Sequence, residues 1–320
     1  EAGTIKQAAA DYWAKVKTGD IGPLAAILGL VVLCIVFGSM SPVFLTQGNF
    51  ANLLTQAAAV IVIAMGLVFV LLIGEIDLSA GYASGVCSAV LVILVTKNDQ
   101  PWYLALTASI IVGCVLGYLI GILVARLGIP SFVVTLASFL AFQGILLLLA
   151  GEGGTIRIED KTVLAIENSN LSVSASWLFF IVVSAIYFIS GLARINSRRK
   201  AGLKTELKKL WLIKTLALIG ASGLAVLTLN LERSNNPDLV SLKGIPYVVP
   251  LILAILVVGT FVLDRTAFGR HIYAVGGNAE AARRAGINVK RIRIACFMIC
   301  SGLSAIAGLI FASRQNSVSP

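Results

Sequence analysis

Nine apolar runs, each near the length needed to cross a lipid bilayer, limit what this chain can become. Crossing the hydrocarbon core as a helix takes about 20 apolar residues. The runs fall near Gly22–Met40, Asn52–Ile73, Ala80–Thr96, Tyr103–Ala125, Ser131–Ala150, Val173–Ala193, Trp211–Leu229, Tyr247–Leu263 and Ala295–Ser313. The third is short and rich in small residues. Lipid offers no hydrogen bonds, so such runs satisfy their own backbone by folding as helices. Only 12% of the 320 residues are charged and 58% are hydrophobic, with a mean hydropathy of +0.96. Soluble domains carry about a quarter charged residues. The expected fold is an all-α integral membrane protein, a polytopic helical bundle with nine spans and a transmembrane domain over residues 21–320.

Residues 1–20 are too polar to span. Ile5, Ala9, Tyr12, Trp13 and Val16 recur at helical spacing, with Lys6, Lys15 and Lys17 between them. That pattern predicts an amphipathic helix lying among lipid headgroups.

Basic loops orient a membrane protein, because Lys and Arg are retained on the cytoplasmic side. Residues 194–210 hold Arg194, Arg198, Arg199, Lys200, Lys204, Lys208 and Lys209 against Glu206. Residues 264–294 hold Arg265, Arg270, Arg283, Arg284, Lys290, Arg291 and Arg293 against Asp264 and Glu280. The loop over 151–170 is acidic instead, with Glu152, Glu159, Asp160 and Glu167 against Arg157 and Lys161. With nine spans, all three loops agree if the N-terminus is cytoplasmic. The formal charge of +10 is therefore explained by topology and contact with lipid headgroups, and no nucleic-acid partner is expected.

Within the second basic loop, Asn278 to Gly286 carries a helix with its own start and stop. Asn278 is an N-cap, and Glu280 sits in the first turn, where the helix dipole favours an acid. Ala281, Ala282 and Ala285 favour helix, and Arg283 and Arg284 suit the last turn. Gly286 can take the left-handed C-cap conformation, and Gly276 and Gly277 free the chain to turn ahead of Asn278. A short, small-faced helix of this kind suits docking in a groove on another protein.

Other candidates lie beside or within the apolar runs. Gly74-Glu75-Ile76-Asp77-Leu78-Ser79 joins two of them. It reads either as an interfacial turn with Ser79 capping the next helix, or as a break whose acids face a transport path. Gly128-Ile129-Pro130-Ser131 opens the fifth run, which also holds Thr135, Ser138 and Gln143. Gly113, Gly117 and Gly121 recur every four residues and form a close-packing face. Cys34, Cys87, Cys114, Cys296 and Cys300 all lie in apolar runs, where packing is their expected role.

No G-x-x-x-x-G-K-[ST] phosphate loop occurs, and His271 is the only histidine. ATP hydrolysis, histidine-based metal binding and a Ser/His/Asp nucleophile are not expected on this chain. Two other classes remain open on the residues alone. One is a proton-coupled secondary transporter using Glu75 or Asp77. The other is a membrane enzyme holding a metal between those acids, for which no third ligand is evident.

Four stretches resemble the permease subunits of bacterial ABC importers for monosaccharides, the ribose, xylose and galactoside group. They are Gly74–Ser79, Ile129–Leu136 with Ala141–Leu146, Arg265–Arg270, and Arg270–Val289. The last is long and specific, and the nearest likeness is to the D-xylose permeases. The resemblance implies a non-enzymatic subunit of the bacterial inner membrane that works as a homodimer. It implies ATP-binding cassette subunits, which carry the ATP and magnesium, and a periplasmic sugar-binding protein. It makes residues 278–286 the coupling helix. On this reading the expected substrate path runs by Gly74, Glu75, Asp77, Ser79, Ser131, Thr135 and Gln143. The family continues with a second glycine-rich loop and a tenth span, so this chain reads as part of a longer protein.

Overall fold

A computed structural model describes residues 13–14, 16–18, 22, 24–151, 154–202, 208–234, 238 and 241–319. The amphipathic helix expected over 1–20 lies largely outside the described residues, as do Glu152, Lys204 and Glu206. Twelve helices and two short strands are described. The helices are α1 (Leu24–Met40), α2 (Gln47–Leu72), α3 (Ala80–Thr96), α4 (Trp102–Ala125), α5 (Ser131–Ala150), α6 (Lys161–Asn168), α7 (Val173–Lys200), α8 (Lys208–Leu229), α9 (Val248–Arg265), α10 (Ala267–Gly277), α11 (Ala279–Arg284) and α12 (Val289–Gln315). The strands β1 (Ile156–Arg157) and β2 (Ser317–Val318) pair antiparallel.

Each of the nine apolar runs is a helix. Seven are long and apolar enough to cross a membrane, namely α2, α4, α5, α7, α8, α9 and α12. Helices α1 and α3 are apolar but only 17 residues long. The largest boundary differences are at α2, which begins at Gln47, at α7, which runs on to Lys200, and at α12, which begins at Val289. Polar residues continue these helices past the apolar stretch, because a helix can extend beyond the hydrocarbon without exposing unpaired backbone.

The chain divides into two compact units, residues 1–52 with 170–245, and residues 53–169 with 246–320. In the first, α7 and α8 pack as a hairpin. The Trp211 indole lies where a side chain on Gly191 would be, and its ring is 5.4 Å from that of Phe188. Beyond α8, Glu232 gathers the loop to Lys243 by accepting from the amides of Arg233, Ser234 and Leu242 and from the Ser241 hydroxyl. These bonds, the Leu242 amide foremost, hold its carboxyl down at about 2. Helix α1 has no buried residue; being apolar all round, it is built to face lipid.

The second unit is built around α12, the most buried of the membrane-length helices. The Gly113, Gly117 and Gly121 face of α4 lies directly on it. A Cβ at these positions would stand 2.5 Å from the Ser301 carbonyl oxygen, 2.3 Å from that of Phe297 and 2.8 Å from the Ile294 Cα. The four-residue repeat is thus a helix-packing face, as its spacing predicts. Phe297 and Cys300 join Val86, Leu91, Ile120 and Leu146 in the largest core cluster. Cys296 belongs to a second cluster with Phe69, Ile73, Ile272, Val275, Ala282 and Ile292. A third cluster ties α2 and α9 to α12 through Ala58, Val62, Val248, Ala307 and Ile310.

Candidate functional site

The sites predicted from the sequence converge on the end of the second unit where α12 begins. Helix α11 is formed by local signals. The Asn278 side chain accepts from the Ala281 amide at 2.9 Å and caps the start. At the other end the Ile287 amide donates to the Ala282 carbonyl and the Gly286 amide to that of Arg283, both at 3.0 Å. Gly286 has φ +86°, so this is a Schellman stop that needs a left-handed residue. Glu280 pairs with Arg283 at 2.9 Å and Arg284 at 3.2 Å, and all three are exposed. Hydrogen bonds from Arg283 and then Arg284 hold the Glu280 carboxyl below the ordinary carboxylate range. Ala282 alone on α11 is buried, in the cluster that also holds Phe69, Ile73 and Cys296.

Gly276 and Gly277 do not form the turn the sequence suggests. Both are helical, at the end of α10, and the chain turns at Asn278 instead. Gly276 allows close approach rather than a bend, because a Cβ there would stand 1.8 Å from the carbonyl oxygen of Leu72. The backbone of α10 therefore rests on the last turn of α2.

That last turn leads into the Gly74–Ser79 stretch. Gly74, with φ +76°, ends α2 by a second Schellman stop: its amide donates to Leu71 and that of Glu75 to Val70. Asp77 starts α3. One carboxylate oxygen accepts from the Ser79 amide at 2.9 Å and from the Ser79 hydroxyl at 2.6 Å. Ser79 occupies the N-cap position but caps no amide with its side chain, so the expected Ser79 cap is supplied by Asp77. Asp77 is 5% exposed, and the Cys300 thiol of α12 lies beside its carboxylate. The Glu75 carboxylate is 3.2 Å from Nε of Arg293, in the second turn of α12.

Ser131 and Thr135 of α5 close the far side of this junction. The Ile76 amide donates to Ser131 Oγ at 3.2 Å, and Thr135 Oγ1 donates to the Ile76 carbonyl at 3.3 Å and that of Ser131 at 2.8 Å. Gln143 lies eight residues beyond Thr135, about 12 Å along α5, and is half-buried. The structure thus brings Gly74, Glu75, Asp77, Ser79, Ser131 and Thr135 together, with Gly276 and α11 beside them through the second core cluster. Gln143 stands apart. Arg293 and Cys300 were not singled out from the sequence. Arg293 is one of seven basic residues in its loop, and Cys300 reads as an ordinary apolar position.

Residues 49–320 match the family described as branched-chain amino acid transport system / permease component. The chain belongs to this permease family. It is 37% identical over 279 residues to the xylose transport system permease protein XylH of Escherichia coli (strain K12), covering 87% of this chain and 68% of that protein. The XylH protein of Haemophilus influenzae is 31% identical over 307 residues, covering 96% of this chain and 79% of its own length. The ribose import permease protein RbsC of the same organism is 25% identical over 295 residues, covering 92% and 70%. No solved structure matches the chain. As a member of this family it is a transport subunit and not an enzyme.

Proposed function

We propose that this permease is the membrane-spanning subunit of an ATP-driven importer that carries a monosaccharide of the D-xylose type into a bacterial cell. The observation that carries the reading is α11: a helix capped at both ends, exposed on its charged face and footed by Ala282 on the cluster that reaches α2 and α12. Such a helix is formed before any partner arrives, which lowers the ordering cost of docking. The likeness to the xylose permeases supports the sugar, and the basic loops at 194–210 and 264–294 support a cytoplasmic N-terminus in the inner membrane.

In this reading two copies of the permease sit on ATP-binding cassette subunits, which hold ATP and magnesium, and receive sugar from a periplasmic binding protein. Closure of the nucleotide subunits moves α11, and the helices rock between outward and inward access. Ser131, Thr135 and the Gly74–Ser79 junction shape the cytoplasmic end of the path. Gln143, deeper along α5, belongs to the same path in this reading. The test is labelled D-xylose uptake into proteoliposomes holding the permease and its ATP-binding subunit, with binding protein outside. Uptake that needs internal ATP and survives collapse of the proton gradient supports the reading. Uptake without ATP that stops when the gradient is collapsed overturns it in favour of a proton-coupled carrier.

A further inference from the structure

Glu75 and Arg293 come from opposite sides of the junction, one from the turn after α2 and the other from the start of α12. Their side chains are 13% and 31% exposed, so the pair is shielded on most sides. Glu75 Oε1 and Arg293 Nε approach to 3.2 Å, yet Nε makes no aligned hydrogen bond. The contact is therefore one of charge, strong at partial burial and undemanding in direction. Such a pair can open and close with small movements of its two helices.

Both helices are seated on the docking element. The α10 backbone touches the Leu72 carbonyl through Gly276, two residues before Gly74. Ala282 of α11 shares a core cluster with Phe69 and Ile73 of the α2 end and with Ile292 and Cys296 of α12. A displacement of α11 thus reaches both carriers of the ion pair through one shared core cluster, with the α10 seat on Leu72 as a second contact to the α2 side. Asp77, Ser131 and Thr135 hold the rest of the junction by aligned hydrogen bonds, from 2.6 to 3.3 Å. The charge pair ties this junction to α12 alongside two other contacts, the Cys300 thiol at Asp77 and the close packing of Gly66 of α2 on the Cys300 backbone.

We propose that Arg293 is a positioning residue for transport: its pairing with Glu75 transmits movement of α11 to the Gly74–Ser79 junction, so Glu75 serves coupling and not sugar binding. This rests on α11 being the docking helix. The test uses the full complex in proteoliposomes, with Glu75→Gln, Arg293→Met and the charge-swapped Glu75→Arg/Arg293→Glu. Three quantities are read: ATP-binding subunit retained on purification, ATP hydrolysed, and D-xylose transported per ATP.

Both single variants are expected to retain the ATP-binding subunit and to lose about tenfold or more in xylose moved per ATP, within the usual span of coupling energies. The charge swap is expected to restore most of that loss. Glu75→Gln is nearly isosteric, so it keeps the test sharp if Arg293→Met misfolds. Single variants that keep the wild-type ratio, or a swap that recovers nothing, overturn the proposal. Wild-type permease that retains no ATP-binding subunit would instead defeat the docking assignment, a distinct result.

Discussion

The two ends of α12 bury an acid in opposite ways. At its start, Glu75 faces the cation of Arg293 and stays within a junction of aligned hydrogen bonds. At its finish, Glu167 of α6 is 7% exposed, and neither carboxylate oxygen has a hydrogen-bond partner. Arg314 is close enough to favour the charge but donates to Thr55 Oγ1 at 2.6 Å. Burial outweighs Arg314 and pushes the Glu167 carboxyl from 4.5 up to about 7. One acid is matched by a fixed charge and the other by a proton. Charge pairing is found at the end of α12 that meets the turn after α2. A proton suffices where α6, β1 and β2 cap the end of α12.

The largest effect is expected at the seat of α10 on α2. Gly276→Leu would drive a side chain into the Leu72 carbonyl, a backbone atom that cannot rotate away. We expect a loss of about 3 kcal/mol or more, the upper range for overpacking, read as thermal unfolding of the purified protein. The same change should reduce retention of the ATP-binding subunit. No comparable defect should arise from a change at the α6 end.

Next in size is the pH response of the far end. Between about 4.5 and about 7 the folded protein holds a proton on Glu167 that the unfolded chain has already released. Folded protein binds more protons in that window, so this group's contribution to stability falls as pH rises through it. Glu167→Gln should flatten the fall, raising the unfolding midpoint at pH 8 by about 3 °C and leaving pH 5 nearly unchanged. A midpoint equally altered at both values would mean that the acid is not held as its protonated form.

A smaller effect is expected at Ser313, which is fully buried and accepts from the Glu167 amide while donating to the Leu164 carbonyl, each at 3.1 Å. Ser313→Ala should cost about 1–2 kcal/mol locally, seen as roughly tenfold faster hydrogen exchange in α6 with the α10–α11 segment unchanged. The smallest is Glu280→Gln. Its pairs with Arg283 and Arg284 are exposed, so the midpoint should move by about a degree or less, and any larger effect should fall on partner binding.

Much of the fold was legible because its strongest signals are local. Apolar run length placed the nine apolar helices, seven long and two shorter, and the caps of α11 lie within the residues they cap. The glycine repeat of α4 identified a packing face, though not that α12 is what it meets. The pairing of Glu75 with Arg293 was not legible, because the two lie far apart in the chain and Arg293 sits among other cations. Glu167 was read as one more loop charge. Its spacing from Val163 and Leu164 on a single short helix was the available sign of burial. Gly276 was read through conformational freedom, when what mattered was the carbonyl of another helix.

The central claim is that α11 faces the cell interior and carries a partner. Ala281 is exposed on α11, so Ala281→Cys places a reporter on the docking face without disturbing the buried Ala282. A membrane-impermeant maleimide should label this cysteine in inside-out vesicles but not in right-side-out ones, and the bound ATP-binding subunit should protect it. Labelling from the outer face, or full labelling with the ATP-binding subunit bound, would contradict the account.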